Sequence, residues 1–328
     1  MDVLFIGGYR NPGGPNEVNR NLLKFLPSNF HKLELKRTIF QLIESVFKIF
    51  SSDIVIFSGL MFNKIQVNLA KKLNKKIIYI MHGCAKLELG TENMKEELIL
   101  ESSDYILCVS DKYSHIIKNI FPQCANKIKI LQNGINWAEI DTLKANNQDS
   151  IRDSNRIILF GGGRKEKQNY YVCKAVQELN NEKSTNLTID IYGYFRDYDD
   201  SKLIAEIPCV TFNNVIPHSE VNIELLKSNI FIQNSKFESF GLAVIDAICL
   251  GCNALISQNV GALDIIKEKK DIDIIYDPTD IDEIKHKLLN LISMPNNYRL
   301  LNSIDKEKTS LEYAAKKLTE YCSELYEK

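Results

Sequence analysis

Short runs of consecutive apolar residues alternate along this chain with longer segments in which apolar side chains return every three or four positions. Uninterrupted apolar runs suit strands buried on both faces, and the three-to-four spacing suits helices lying against them. Strands are predicted over 3–6, 33–35, 54–57, 77–81, 105–109 and 127–131, then over 157–160, 187–192, 210–212, 230–233, 254–257 and 272–276. Helices are predicted over 17–26, with Asn16 as cap, and over 38–50, 65–73, 111–120, 170–179, 221–227, 281–292 and 312–327. Such alternation argues for parallel sheets covered by helices on both faces. The polar stretch 138–155 contains no clear strand and reads as a domain junction. The expected fold is therefore α/β, with two Rossmann-like, doubly wound domains at 1–145 and 146–308 and a helical segment at 309–328. Ligands are expected at the carboxyl ends of the strands, and a cleft between two such domains is a common small-molecule site.

One segment departs from plain core patterning. After the run at 230–233, the polar loop 235–240 leads through Gly241 into an apolar segment of helical length that stops at Gly251. Asp246 is the only charged residue between Glu238 and Asp264. A lone carboxylate in an apolar helix is costly to bury and calls for a partner or a ligand. Strand, glycine loop and helix start also bring backbone N–H groups and a positive helix end to one place, which suits an anion.

Charge sharpens this picture more than bulk composition does. The net charge is −1, yet residues 1–80 hold twelve Lys or Arg against five Asp or Glu. That imbalance fits an anionic surface or substrate, and equally a solvated basic face. The predicted helix 38–50 is broadly apolar and follows Lys32, Lys36 and Arg37. It suits either a core helix or one resting on a membrane surface. No apolar run is long enough to span a bilayer, and no leader opens the sequence, so a cytosolic protein is expected. Eight scattered cysteines fit a reducing compartment. Cys249 and Cys252 have redox-motif spacing but lack a second pair or histidines, and read as small apolar residues at a helix end.

Three predicted strand ends carry candidate chemistry. His82 follows the run 77–81, and a histidine there is either functional or simply packed. Gly161-Gly162-Gly163-Arg164-Lys165-Glu166-Lys167 joins glycines that allow a tight turn to three cations that can neutralise a diphosphate. Glu238 follows the run 230–233. The Gly13-Gly14 turn after the first strand is either a weak phosphate-cradling loop or a plain turn.

The order of these motifs resembles the retaining glycosyltransferases of family 4, of the bacterial surface-polysaccharide type. The family signature of two acids flanking Phe-Gly reads here from Glu238 through Phe240-Gly241 to Asp246 and Gly251. Further matches are Gly13-Gly14, His82-Gly83, the segments 103–110 and 130–136, and Gly163-Arg164. The resemblance implies the GT-B fold, an interdomain cleft, and a final helix at 309–328 crossing back to an acceptor-binding first domain. It implies that Arg164 and Lys167, or Lys165 in place of Lys167, bind the donor diphosphate together with the amides near Phe240, Gly241 and Leu242. Glu238 would hold sugar hydroxyls, Asp246 the ribose, His82 the transferred sugar and acceptor, and Gly13 and Gly14 the phosphates. The implied donor is a UDP- or GDP-sugar, used without a metal or other cofactor. A lipid-linked saccharide is the implied acceptor, on an anionic inner membrane surface where the protein is peripheral, and nucleic acid is not a partner. Two readings from other classes remain: a sugar-nucleotide 2-epimerase of similar fold, and a two-lobed sugar-binding module. Asp246 stands where the family has Glu, Asp264 likewise, and Asn253 replaces a usual Pro.

Overall fold

The computed structural model describes residues 1–10, 13–34, 39–60, 62, 64–88, 90–91, 93–147, 151–197 and 199–328. They form two compact units, Met1–Asn136 with Lys306–Lys328, and Trp137–Asp305. The expected bounds at 145/146 and 308/309 lie nine and three residues beyond these.

Unit 1 is built on a six-stranded parallel sheet of β1 (Val3–Gly7), β2 (Phe30–Leu33), β3 (Ile54–Ser58), β4 (Lys76–Met81), β5 (Tyr105–Cys108) and β6 (Ile128–Ile130). The strand order is β2-β1-β3-β4-β5-β6. Its helices are α1 (Gly14–Leu22), α2 (Ile39–Ser51), α3 (Lys64–Lys72), α4 (Ala85–Glu88), α5 (Met94–Ser102) and α6 (Asp111–Ile120). The central strands β1 and β3 are buried along their whole length, as uninterrupted apolar runs require when helices cover both faces.

Unit 2 begins with α7 (Trp137–Asn146) and carries β7 (Asp153–Phe160), α8 (Asn169–Lys183), β8 (Thr188–Tyr192), α9 (Ser201–Ala205) and β9 (Val210–Asn213). It continues with α10 (His218–Lys227), β10 (Ser228–Gln233), α11 (Leu242–Cys249), β11 (Asn253–Ser257), β12 (Ile274–Ile275), α12 (Ile281–Ser293) and α13 (Asn297–Asn302). Its sheet is also parallel, in the order β12-β11-β10-β7-β8-β9.

The last helix, α14 (Leu311–Tyr326), belongs to unit 1. It buries Leu311, Ala314, Ala315, Leu318, Cys322 and Leu325. Each large apolar side chain so placed contributes about 1.5–3 kcal/mol. Ile135 N–H donates to Thr309 O at 2.8 Å, and a Cβ on Gly134 would lie 2.7 Å from Leu311 Cα. Gly134 is thus a close-approach glycine that seats this helix.

Several expectations need correction. Helix α1 starts at Gly14 with Gly13 as its N-cap, so Asn16 lies inside the helix and does not cap it. The second strand is Phe30–Leu33, earlier than the predicted 33–35; Leu35 lies outside the described residues. The junction stretch contains a helix, α7, which had no visible apolar face because Ile140 is its only buried residue. Helix α5 was missed because Leu98, Ile99 and Leu100 are consecutive rather than periodic. The strand predicted over 272–276 shrinks to Ile274–Ile275, because the Asp273 carboxylate turns inward to Asn296 Nδ2 and Arg299 Nη2.

Helix α2 buries one face in the unit and leaves apolar side chains exposed on another. Ser45 and Ile49 are buried against the unit, while Ile43, Phe47 and Phe50 are exposed, Phe47 to 70%. Lys36 and Arg37 lie outside the described residues.

Candidate functional site

In a doubly wound sheet, chains leaving two neighbouring strands in opposite directions open a crevice at their carboxyl ends. In unit 2 that switch point lies between β7 and β10. The glycine-rich loop follows the first of these strands, and the loop bearing Glu238 follows the second.

Glycine is needed in both loops. Gly161 and Gly162 have φ of +97° and +59°, and both amides donate to Tyr192 O. A Cβ on Gly193 would lie 2.3 Å from Gly162 N, so the turn passes directly over the end of β8. The three cations that follow diverge. Arg164 Nε donates to Gly161 O at 3.2 Å and its Nη1 lies 3.3 Å from Glu166. Lys165 is exposed on the side of Asp200. Lys167 turns across the switch point and pairs with the Glu238 carboxylate. Two residues far apart in sequence, both predicted for the site, are therefore brought together.

The loop after β10 is clamped from the next connection. Glu238 N–H donates to Asn259 O at 3.2 Å, and Gly261 N–H to Glu238 O at 3.0 Å. Gly241 has φ +94° and is the N-cap of α11, whose first turn has no acidic residue and no side-chain cap. The positive end of that helix dipole opens beside the Lys167–Glu238 pair. Phe240 is buried, and Leu242 begins the helix. At the far end, Gly251 takes φ +94° and Arg152 Nη2 donates to Leu250 O at 2.7 Å, a cation at the negative helix end.

Asp246 does have a partner, and it was not foreseen. His218, the first residue of α10, places Nε2 3.5 Å from Asp246 Oδ2. No local signal marks His218, because α10 and α11 become neighbours only through the sheet. Asn253 also has a defined role: its Oδ1 accepts from the N–H groups of Asn296 and Asn297 at the start of α13. Cys249 and Cys252 are buried, and burial pushes the Cys252 thiol up to about 11. Among the described residues, no group of three or more His, Cys, Asp or Glu is arranged to hold a metal ion.

Unit 1 has its own switch point, between β1 and β3. Ser58 ends β3 opposite Gly7, and His82 follows β4 next to it. His82 Nε2 lies 2.8 Å from Ser58 Oγ, Ser58 Oγ donates to Asn19 Oδ1 at 2.7 Å, and Asn19 Nδ2 donates to Gly8 O at 2.8 Å. Burial lowers the His82 pKa to about 4, so the ring is neutral at neutral pH. Gly13, with φ +136°, turns the chain into α1, and no described residue lies within 4 Å of a Cβ built on Gly14. Ser58 could have been found by the strand-end rule that singled out His82; Asn19 could not, since it sits within a helix.

The glycosyl transferases group 1 family matches residues 141–316 of this chain. MJ1607 of Methanocaldococcus jannaschii, described as an uncharacterised glycosyltransferase, is 27% identical over 190 residues, 53% of this chain. That match covers 47% of MJ1607, so the chain spans about half the length of the curated relative it matches. Among solved structures, Anabaena HepE in complex with UDP and glucose superposes with a TM-score of 0.72 at 13% identity, covering 99% of this chain and 100% of that one. WaaG, a glycosyltransferase involved in lipopolysaccharide biosynthesis, gives 0.66 at 14% identity over 97% and 99% of the two chains. At such identities the likeness concerns the fold, and that fold is GT-B with two α/β domains.

Proposed function

Because the chain belongs to the group 1 glycosyl transferases, we propose that it moves a sugar from a nucleoside-diphosphate sugar to an acceptor hydroxyl with retention of anomeric configuration. The observation that carries this reading is the β7/β10 switch point, where Lys167 and Glu238 pair beside the glycine turn and the open N-terminus of α11. In the proposed step the bond between the anomeric carbon and the diphosphate oxygen breaks, and the acceptor oxygen bonds to that carbon on the same face. The acceptor proton passes to the departing diphosphate. Negative charge grows on that leaving group, and fixed cations with helix amides stabilise it where it forms. Arg164 and Lys167 supply the cations, Lys165 remaining the alternative to Lys167, and the backbone near Phe240, Gly241 and Leu242 supplies N–H groups. Glu238 releases Lys167 in part to receive sugar hydroxyls. Asp246, together with His218, takes the ribose.

A UDP-sugar is the first donor to test, since HepE was captured with UDP and glucose. Arg164→Ala and Glu238→Gln should each lower sugar transfer by roughly two orders of magnitude, the scale of losing one preorganised charge contact. Undiminished turnover in both would remove the site assignment.

For the acceptor we propose a lipid-linked saccharide of a bacterial surface polysaccharide, met at an anionic membrane face. Support comes from α2, whose Ile43, Phe47 and Phe50 form an exposed apolar stripe in the basic first quarter of the chain. Such a stripe suits an interfacial helix. Among the described residues no helix is long and apolar enough to cross a membrane. The protein should pellet with anionic liposomes at low salt and less so at high salt, and Phe47→Asp should abolish pelleting. Equal recovery in the supernatant with and without liposomes would refute membrane docking while leaving sugar transfer untouched.

A further inference from the structure

Gly8, Asn19, Ser58 and His82 form a hydrogen-bonded chain across the β1/β3 switch point whose direction can be read without seeing a proton. Gly8 O is a carbonyl and can only accept, so the Asn19 atom facing it at 2.8 Å must be the amide nitrogen. The Asn19 oxygen therefore faces Ser58 and accepts its hydroxyl proton at 2.7 Å. Ser58 has one proton and has given it away. Its oxygen is left to accept from His82 at 2.8 Å, so Nε2 of His82 carries the ring proton. A flipped Asn19 amide would set two oxygens against each other at Gly8 and is excluded by the same reasoning.

We infer that Asn19 and Ser58 are positioning residues that hold His82 as the Nε2–H tautomer, leaving Nδ1 as a hydrogen-bond acceptor for a substrate hydroxyl. Nδ1 has no protein partner among the described residues. Three features show that the arrangement is built into the fold. Asn19 and Ser58 are almost wholly buried, 1% and 2% exposed, and a buried polar chain is tolerated only when each member is satisfied. A Cβ on Gly7 would lie 2.9 Å from Ser58 Cβ and 3.1 Å from Asn19 Nδ2, so glycine at the end of β1 makes room for the chain. Neutrality of the ring, imposed by burial, keeps one nitrogen free of its proton. An Nδ1 acceptor selects a ligand that donates, which an alcohol does and a phosphate dianion does not. The ligand class rests on the proposed function; the tautomer does not.

The test uses the whole protein with 15N-labelled histidine. Long-range proton–nitrogen correlation spectra distinguish protonated from unprotonated ring nitrogens, and loss of one of five histidine patterns in His82→Gln assigns the residue. The expected result is protonated Nε2 and unprotonated Nδ1, unchanged from pH 8 to pH 5. A pattern with the proton on Nδ1, or an averaged mixture, overturns the inference. Ser58→Ala removes the acceptor; His82 should then show mixed tautomers and kcat/KM should fall roughly 10–100-fold, as for a displaced reacting group. An unmixed Nε2–H signal with full turnover in Ser58→Ala also overturns it. Should Ser58→Ala fail to fold, Asn19→Ala frees the Ser58 hydroxyl to donate to Nε2 and should move His82 toward Nδ1–H; an unmixed Nε2–H signal in that variant overturns the inference. The wild-type spectrum needs no turnover, so failure of the tautomer and failure of sugar transfer are separate results.

Discussion

Gly241 links the site to the stability of unit 2 most directly. Gly241→Ala adds one methyl group to a residue held at φ +94°. An L-residue in left-handed backbone costs roughly 1–2 kcal/mol. The new Cβ would also lie 2.9 Å from Val260 Cγ1 and 3.3 Å from Glu238 Cγ. Val260 is fully buried and cannot swing away, so it must shift with the 259–262 connection that clamps the Glu238 loop. Overpacking of this kind adds about 1 kcal/mol or more. The combined loss is about 2–3 kcal/mol, and each kcal/mol lowers Tm by roughly 2–4 °C in a unit of this size. Thermal unfolding followed with and without UDP reads both consequences. A fall of about 4–12 °C is expected, together with a smaller stabilisation by UDP because the α11 amides move. An unchanged Tm would refute the strain argument, and an undiminished UDP shift would refute the role of this helix start in anion binding.

Other predictions concern both units. Burial holds the His82 pKa at about 4, below the unfolded value near 6.5, so the unfolded chain takes up a proton first as pH falls. Stability should drop between pH 6.5 and pH 4 by at most about 3 kcal/mol from this residue, and urea unfolding of His82→Gln should show a correspondingly shallower pH slope; parallel slopes would contradict burial of the ring. Gly134→Ala sets a methyl 2.7 Å from the Leu311 backbone and should loosen α14, seen as faster proteolytic cleavage near 303–310; an unchanged cleavage rate would show that α14 seats without this close approach. His218→Ala removes the Asp246 partner and should raise the donor KM several-fold with kcat little changed; a loss confined to kcat would place His218 in another role.

Much of this architecture was legible from apolar runs. The runs at 54–57 and 77–81 and the periodic segment 111–120 reappear in β3, β4 and α6 with shifts of a residue or less at each end. They are legible because backbone geometry ties side-chain spacing to local structure. Helices α5 and α7 escaped for the same reason in reverse: neither presents a periodic apolar face. The candidate site divides along similar lines. Glu238, Gly241, Arg164 and His82 stand out in sequence because each follows an apolar run or begins an apolar helix. Which partner each of them meets does not. Lys167 reaches Glu238 only because β7 lies beside β10, Ser58 reaches His82 only because β3 lies beside β4, and His218 meets Asp246 only because α10 packs on α11. Sequence by itself determined which residues sit at strand ends, since that is a matter of local period. Which strand ends adjoin is decided by the order of the sheet, and that order depends on contacts between residues that no local pattern connects.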